Sequence, residues 1–136
     1  SGKRIYCIGA DDNHNYAPFK SRRYDSFGGF TMIKAEKLDY KAVTKSLLDG
    51  NFYASQGPEI YDLYLENGKI YITCSPADRI VLNTGRRRCA SEFSENSKIL
   101  DRASFEVFPE DEYIRITVID EKGHHANTNA YFVDEL

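Results

Sequence analysis

Apolar and polar positions alternate most regularly in the second half of the chain, the pattern of strands with one buried face. Ile60 to Glu66 and Lys69 to Ser75 flank Asn67-Gly68, the pair favoured in a two-residue type I′ hairpin turn. Such a turn pairs Glu66 with Lys69, Leu65 with Ile70, Leu63 with Ile72 and Tyr61 with Cys74, so the apolar residues of both strands share one face. Further strands are predicted at Arg79 to Asn83, Ser104 to Phe108, Tyr113 to Asp120 and Ala126 to Val133, the last after a turn around Lys122-Gly123. Short strands separated by turn signals imply an antiparallel, Ig-like β-sandwich rather than a parallel sheet.

The first half reads differently. Arg4 to Ala10 is nearly all apolar, which suits a short strand buried on both faces and ended by Gly9. Asp11 to Gly29 is polar, aromatic and without period, punctuated by Pro18, Gly28 and Gly29. Phe30 to Ala35 alternates as a second short strand. Asp39 is a good N-cap for a helix to about Leu48, with Tyr40, Val43 and Leu47 on one face and Gly50 closing it. The class is therefore mainly β with one α-helix.

Composition narrows the field. With 41% hydrophobic and 29% charged residues the chain lies outside the disordered range and should fold. A net charge of -3 sets up no field for nucleic acid or an anionic membrane, and no apolar run reaches the ~20 residues of a membrane span. Neither partner is expected. Cys7, Cys74 and Cys89 are odd in number and widely spaced, so reduced thiols and a cytoplasmic location are expected rather than a disulfide framework. Ser1-Gly2 reads as the remnant of a removed tag, with more chain expected upstream.

Asp11-Asp12-Asn13-His14 follows the first apolar run, the place where α/β sheets and barrels put their catalytic residues. Asp and His two residues apart offer a hard oxygen and an imidazole nitrogen to zinc, manganese or iron. Taken alone the tripeptide is a weak signal, and a capped turn carrying a surface His is its ordinary explanation.

Three blocks in order extend the pattern: Gly9 to Asn15, Asp25-Ser26-Phe27-Gly28-Gly29-Phe30-Thr31-Met32-Ile33-Lys34-Ala35, and Gly50 to Ile60. Together they resemble the C-terminal end of the PHP (polymerase and histidinol phosphatase) family, and the following sandwich resembles a tail that some bacterial members carry. The resemblance implies a barrel of parallel strands that binds up to three divalent metals and hydrolyses phosphate esters, metal-activated water attacking phosphorus. It implies Asp12 and His14 as metal ligands. Arg22 and Arg23 in the adjoining loop are candidates for holding the substrate phosphate.

On this reading residues 1–50 are the remnant of the barrel (strand, metal-motif loop, strand, helix) and residues 51–136 an accessory β-sandwich. The family's earlier ligands, a His-x-His pair among them, are not in this chain, so no complete catalytic set is present. His124 and His125 read as turn residues. A divalent metal (Zn, Mn or Fe) is expected in the full-length protein, with a phosphate ester as substrate, while the chain alone is expected to be inactive and to bind metal weakly or not at all. Exposed strands at Arg4 to Ala10 and Phe30 to Ala35 predict self-association. The competing reading is a non-catalytic β-sandwich that binds a partner or serves as structure. Arg86-Arg87-Arg88 is read as a solvated loop, and the aromatic residues of the strands, Tyr61, Phe105, Phe108, Tyr131 and Phe132, as core.

Overall fold

The computed structural model describes residues 4–95 and 98–136. It is mainly β: β1 (Phe30–Ile33), α1 (Tyr40–Leu48), β2 (Phe52–Ser55), β3 (Ile60–Glu66), β4 (Lys69–Ala77), β5 (Arg79–Thr84), β6 (Cys89–Phe93), β7 (Leu100–Glu106), β8 (Tyr113–Ile119), β9 (His125–Thr128) and β10 (Tyr131–Phe132). The larger antiparallel sheet runs β1-β2-β9-β8-β5-β6, with β10 also on β8; the smaller runs β3-β4-β7. The two pack as a small sandwich whose core is Ile70, Ile72 and Cys74 of β4, Phe105 of β7, Ile80 and Leu82 of β5, and Ile114, Ile116 and Val118 of β8. Ile80, Leu82, Ile114, Ile116 and Val118 are fully buried, and they are alternate residues of neighbouring strands, as the period of two demands.

The hairpin between β3 and β4 forms as its turn pair predicts, with Asn67 (φ 49°) and Gly68 (φ 75°) both left-handed. Glu66 pairs with Lys69, Leu65 with Ile70 and Leu63 with Ile72, but Cys74 pairs with Ile60 rather than Tyr61. One extra residue bulges there and turns Tyr61 outward, leaving Ile60 to face the core. The start of β3 is held in that position by side chains: the Ile60 N–H donates to the hydroxyl of Tyr53 on β2 at 3.0 Å, and the Glu59 N–H to Ser75 Oγ on β4 at 2.9 Å. Two strands have too weak an alternation to be read from sequence, the four-residue β2 and β6 just beyond the arginine run.

The segment from Arg4 to Ala10 does not form the predicted strand. Its backbone is met by side chains instead of a neighbouring strand: the Cys7 N–H donates to Asn129 Oδ1 at 3.3 Å, the Gly9 N–H donates to Thr31 Oγ1 at 2.9 Å, and the Thr31 hydroxyl donates back to the Gly9 carbonyl at 3.0 Å. Ile5 and Ile8 stay 71% and 68% exposed, so the two-sided burial that their pattern calls for is not supplied within the described residues. Gly9 sits so close to β1 that a Cβ would lie 2.6 Å from the Phe30 carbonyl oxygen.

α1 starts where expected, with the Asp39 carboxylate accepting the Ala42 N–H at 2.9 Å, and ends before Gly50 (φ 73°). The face it buries is not the one its large residues mark. Ser46 is buried and its hydroxyl donates to the Lys34 carbonyl at 2.7 Å, while Tyr40 and Leu48 point to solvent. A small polar residue seats the helix beside β1, and of the predicted apolar face only Val43 is half-buried.

The arginine run is also more than a solvated loop. Arg88 is half-buried, its Nε donating to Asp111 Oδ1 at 2.8 Å and its Nη2 to Asp111 Oδ2 and to the Glu106 carbonyl. Arg86 pairs with Glu112 on the surface. Of the aromatic residues expected inside, Phe105 is core and Tyr131 packs against it, Phe108 lies partly exposed under the Arg88 guanidinium, and Tyr61 is outside.

Candidate metal centre

The loop after Ala10 is shaped by its own polar side chains. Asp12 (φ 53°) and Asn15 (φ 55°) adopt left-handed conformations that short polar residues tolerate better than others. Asn13 Oδ1 accepts the Asn15 N–H at 2.7 Å, Asp25 Oδ2 accepts the His14 N–H at 2.8 Å, and Asp11 accepts the Phe27 N–H. The second block, Asp25 to Ala35, is thereby tied to the first. Asp25 contributes a second feature that the sequence does not reveal: its Oδ1 is buried with no hydrogen-bond partner among the described residues.

Asp12 and His14 are brought together, with Asp12 Oδ2 at 4.0 Å from His14 Nδ1. The imidazole lies flat against Tyr16, centroids 5.2 Å apart. His14 Nδ1 also contacts the Asp12 carbonyl oxygen at 2.5 Å. A carbonyl oxygen only accepts, so Nδ1 is the donor, and in the neutral imidazole Nε2 then keeps its lone pair for a ligand. Both side chains are open to solvent, Asp12 at 95% and His14 at 49%.

In kind, a carboxylate beside an Nε2-presenting imidazole fits a divalent cation; in number, it falls short. Catalytic zinc takes three protein ligands, and among the described residues no group of three or more His, Cys, Asp or Glu side chains converges. Arg22 and Arg23 are exposed and make no hydrogen bond or ion pair to Asp12, His14 or any other described residue. The remaining histidines lie elsewhere: His124 Nδ1 is 3.2 Å from Asp120 Oδ2, and His125 opens β9. Cys7 and Cys89 are exposed free thiols and Cys74 is buried, its thiol pushed up to about 11 by burial first and by Asp101 second.

Among the described residues no helix is long and apolar enough to cross a membrane. Comparison with protein-family models, with curated proteins and with solved structures finds no match to this chain.

Proposed function

We propose that this chain is the C-terminal part of a PHP-type, metal-dependent phosphoesterase, in which Asp12 and His14 are two ligands of a divalent metal whose remaining ligands come from elsewhere in the protein. The observation that carries this reading is the pairing of Asp12 with an imidazole whose tautomer is set by the Asp12 carbonyl, leaving Nε2 free. Fixing one ring nitrogen by a hydrogen bond is the usual device for orienting a metal-ligating histidine. Exposed Ile5 and Ile8 just before the motif support it further, because that apolar run has the composition of a strand covered on both sides.

When bound, the metal supplies activation of water and stabilisation of charge on the phosphoryl oxygens. This chain's own contribution is to hold one carboxylate and one imidazole at the end of a pinned loop. Arg22 and Arg23 extend from the same loop and would meet the substrate phosphate. A cytoplasmic location belongs to the same proposal and is supported by three free thiols.

The chain by itself is expected to show no hydrolysis of a generic phosphodiester in Mn²⁺ or Zn²⁺. Metal-dependent turnover by the purified chain, abolished by Asp12→Ala, would contradict the incomplete ligand set. A second reading, a non-catalytic β-sandwich module, is favoured by one observation: every residue of the buried core cluster lies between Ile70 and Ala126, so this part holds a core of its own. Metal binding that does not depend on Asp12 and His14 would favour it.

A further inference from the structure

The sandwich is closed on one side and open on the other. β7 approaches β5 and β6, and β4 approaches β8, so the smaller sheet covers the larger from β6 to β8. The three-stranded sheet is narrower than the seven-stranded one, and past β3 the side chains of Met32 on β1 and Tyr53 on β2 are only partly covered among the described residues. A groove of about 490 Å³ results, with Met32 and Tyr53 on one wall and Ile60, Leu63 and Leu65 on the other. Met32 and Leu65 are each 39% exposed at its mouth.

The lip of this groove is an unpaired strand edge. Antiparallel pairs alternate in the direction of their main-chain groups, so with Glu66 and Lys69 closing the turn, the N–H and C=O of Leu63 and Leu65 point away from β4. The Leu63 N–H is met by its neighbour Asp62, whose Oδ1 accepts it at 2.9 Å, as expected for a donor without a strand partner. The same edge is acidic. Glu59, Asp62 and Glu66 are exposed, no Lys or Arg lies between them, and none of the three forms an ion pair among the described residues. Lys34 is the basic residue on the opposite wall.

We propose that this groove receives an extended peptide strand of a partner protein, in which apolar residues alternate with lysine or arginine. The strand adds to the edge of β3, its main chain bonding to Leu63 and Leu65, its apolar side chains filling the space over Met32 and Tyr53, and its basic side chains meeting Glu59, Asp62 and Glu66. Strand addition draws affinity from main-chain bonds and specificity from alternate side chains, which is the division of labour available here. β3 is seven residues long, so the partner segment matches it at about that length. Asp62 then exchanges the Leu63 N–H for a basic side chain. The proposal is independent of the metal ligands and stands whether or not the chain belongs to a phosphoesterase.

The test is fluorescence anisotropy of a labelled seven-residue peptide alternating lysine with valine and isoleucine, beside a matched peptide with glutamate for lysine. The lysine peptide is expected to bind at least tenfold tighter, and the triple variant Glu59→Lys, Asp62→Lys, Glu66→Lys to reverse the preference. Amide hydrogen exchange at Leu63 and Leu65 should slow on binding. Leu65→Lys, at a partly exposed site, should weaken the lysine peptide at least tenfold while circular dichroism stays native. Equal binding of both peptides, or unchanged exchange at Leu63 and Leu65, overturns the proposal. So does light scattering that shows a dimer protecting the same amides, because the groove would then belong to a second copy.

Discussion

Replacing Arg88 with alanine is expected to lower the stability of the fold by about 3–5 kcal/mol, because it strands a buried carboxylate. Asp111 is 2% exposed, and both of its oxygens are met by the Arg88 guanidinium, with the Phe108 N–H also donating to Oδ2 at 2.9 Å. The guanidinium holds the Asp111 carboxyl below its ordinary range; burial opposes this, and the Phe108 N–H reinforces it. A carboxyl whose folded pKa is depressed adds stability that is fully present above its unfolded value, about pH 4, and is lost as pH falls through the folded value. In Arg88→Ala the sign reverses, since an unpaired buried carboxylate is relieved by taking a proton. The gap between wild type and variant, read from denaturant melts, should therefore be widest near neutral pH, start to narrow above about pH 4 as the variant's carboxyl takes its proton, and go on narrowing as pH falls towards the wild-type value. A gap that is small at pH 7, or constant down to pH 3, would show that the pair is not what holds Asp111.

Asn129→Ala is expected to cost about 2–4 kcal/mol through lost hydrogen bonds and the buried groups left without partners. Its side chain is 5% exposed and its Nδ2 donates to the carbonyls of Gly50 and Phe52, both at 3.0 Å, while Oδ1 accepts the Cys7 N–H. Asn129 also lies between β9 and β10, where pairing with β8 slips by one residue: Thr117 pairs with Asn127, but Ile114 pairs with Tyr131. One amide thus joins the end of α1, the start of β2, the N-terminal segment and the slip. Because the bonds to Gly50 and Phe52 tie β2 to the rest of the sheet, amide exchange in β1 and β2 should accelerate more than in β5 and β8. Uniform acceleration across both sheets would argue that Asn129 only adds to global stability.

These two residues also mark where the sequence stops being readable. The β3–β4 hairpin was legible because its turn chemistry and its alternation are both local, and Asp39 and Gly50 delimit α1 for the same reason. Arg88 looks like part of a basic run, and only the return of the chain at Asp111 makes it structural. Asn129 carries no signal at all, since its partners lie more than 70 residues away. Tyr61 was misplaced by a bulge that its own pattern does not announce, beside which the Ile60 N–H bonds to Tyr53, a residue of β2 outside the hairpin. The apolar run at Ile5 to Ile8 reads as a buried strand because periodicity reports what a segment is suited to, not whether a neighbour is present.

The candidate site follows the same rule. Asp12 and His14 could be picked from adjacency and chemistry, and they do lie together. What adjacency could not give is the clamp around them: Asp25 on the His14 backbone, Asp11 on the Phe27 N–H, and the Asp12 carbonyl that sets the imidazole tautomer. Nor could it say whether a third donor arrives from a distant part of the chain. None does among the described residues.

The proposed role of Asp12 and His14 as joint ligands is tested most directly by adding Mn²⁺ in small amounts to the isotope-labelled chain and following paramagnetic broadening residue by residue. Weak binding is expected that first broadens the Asp12 and His14 signals, with broadening lost in both Asp12→Ala and His14→Ala. Broadening centred on His124 and Asp120, or broadening at the loop that survives both substitutions, would contradict it.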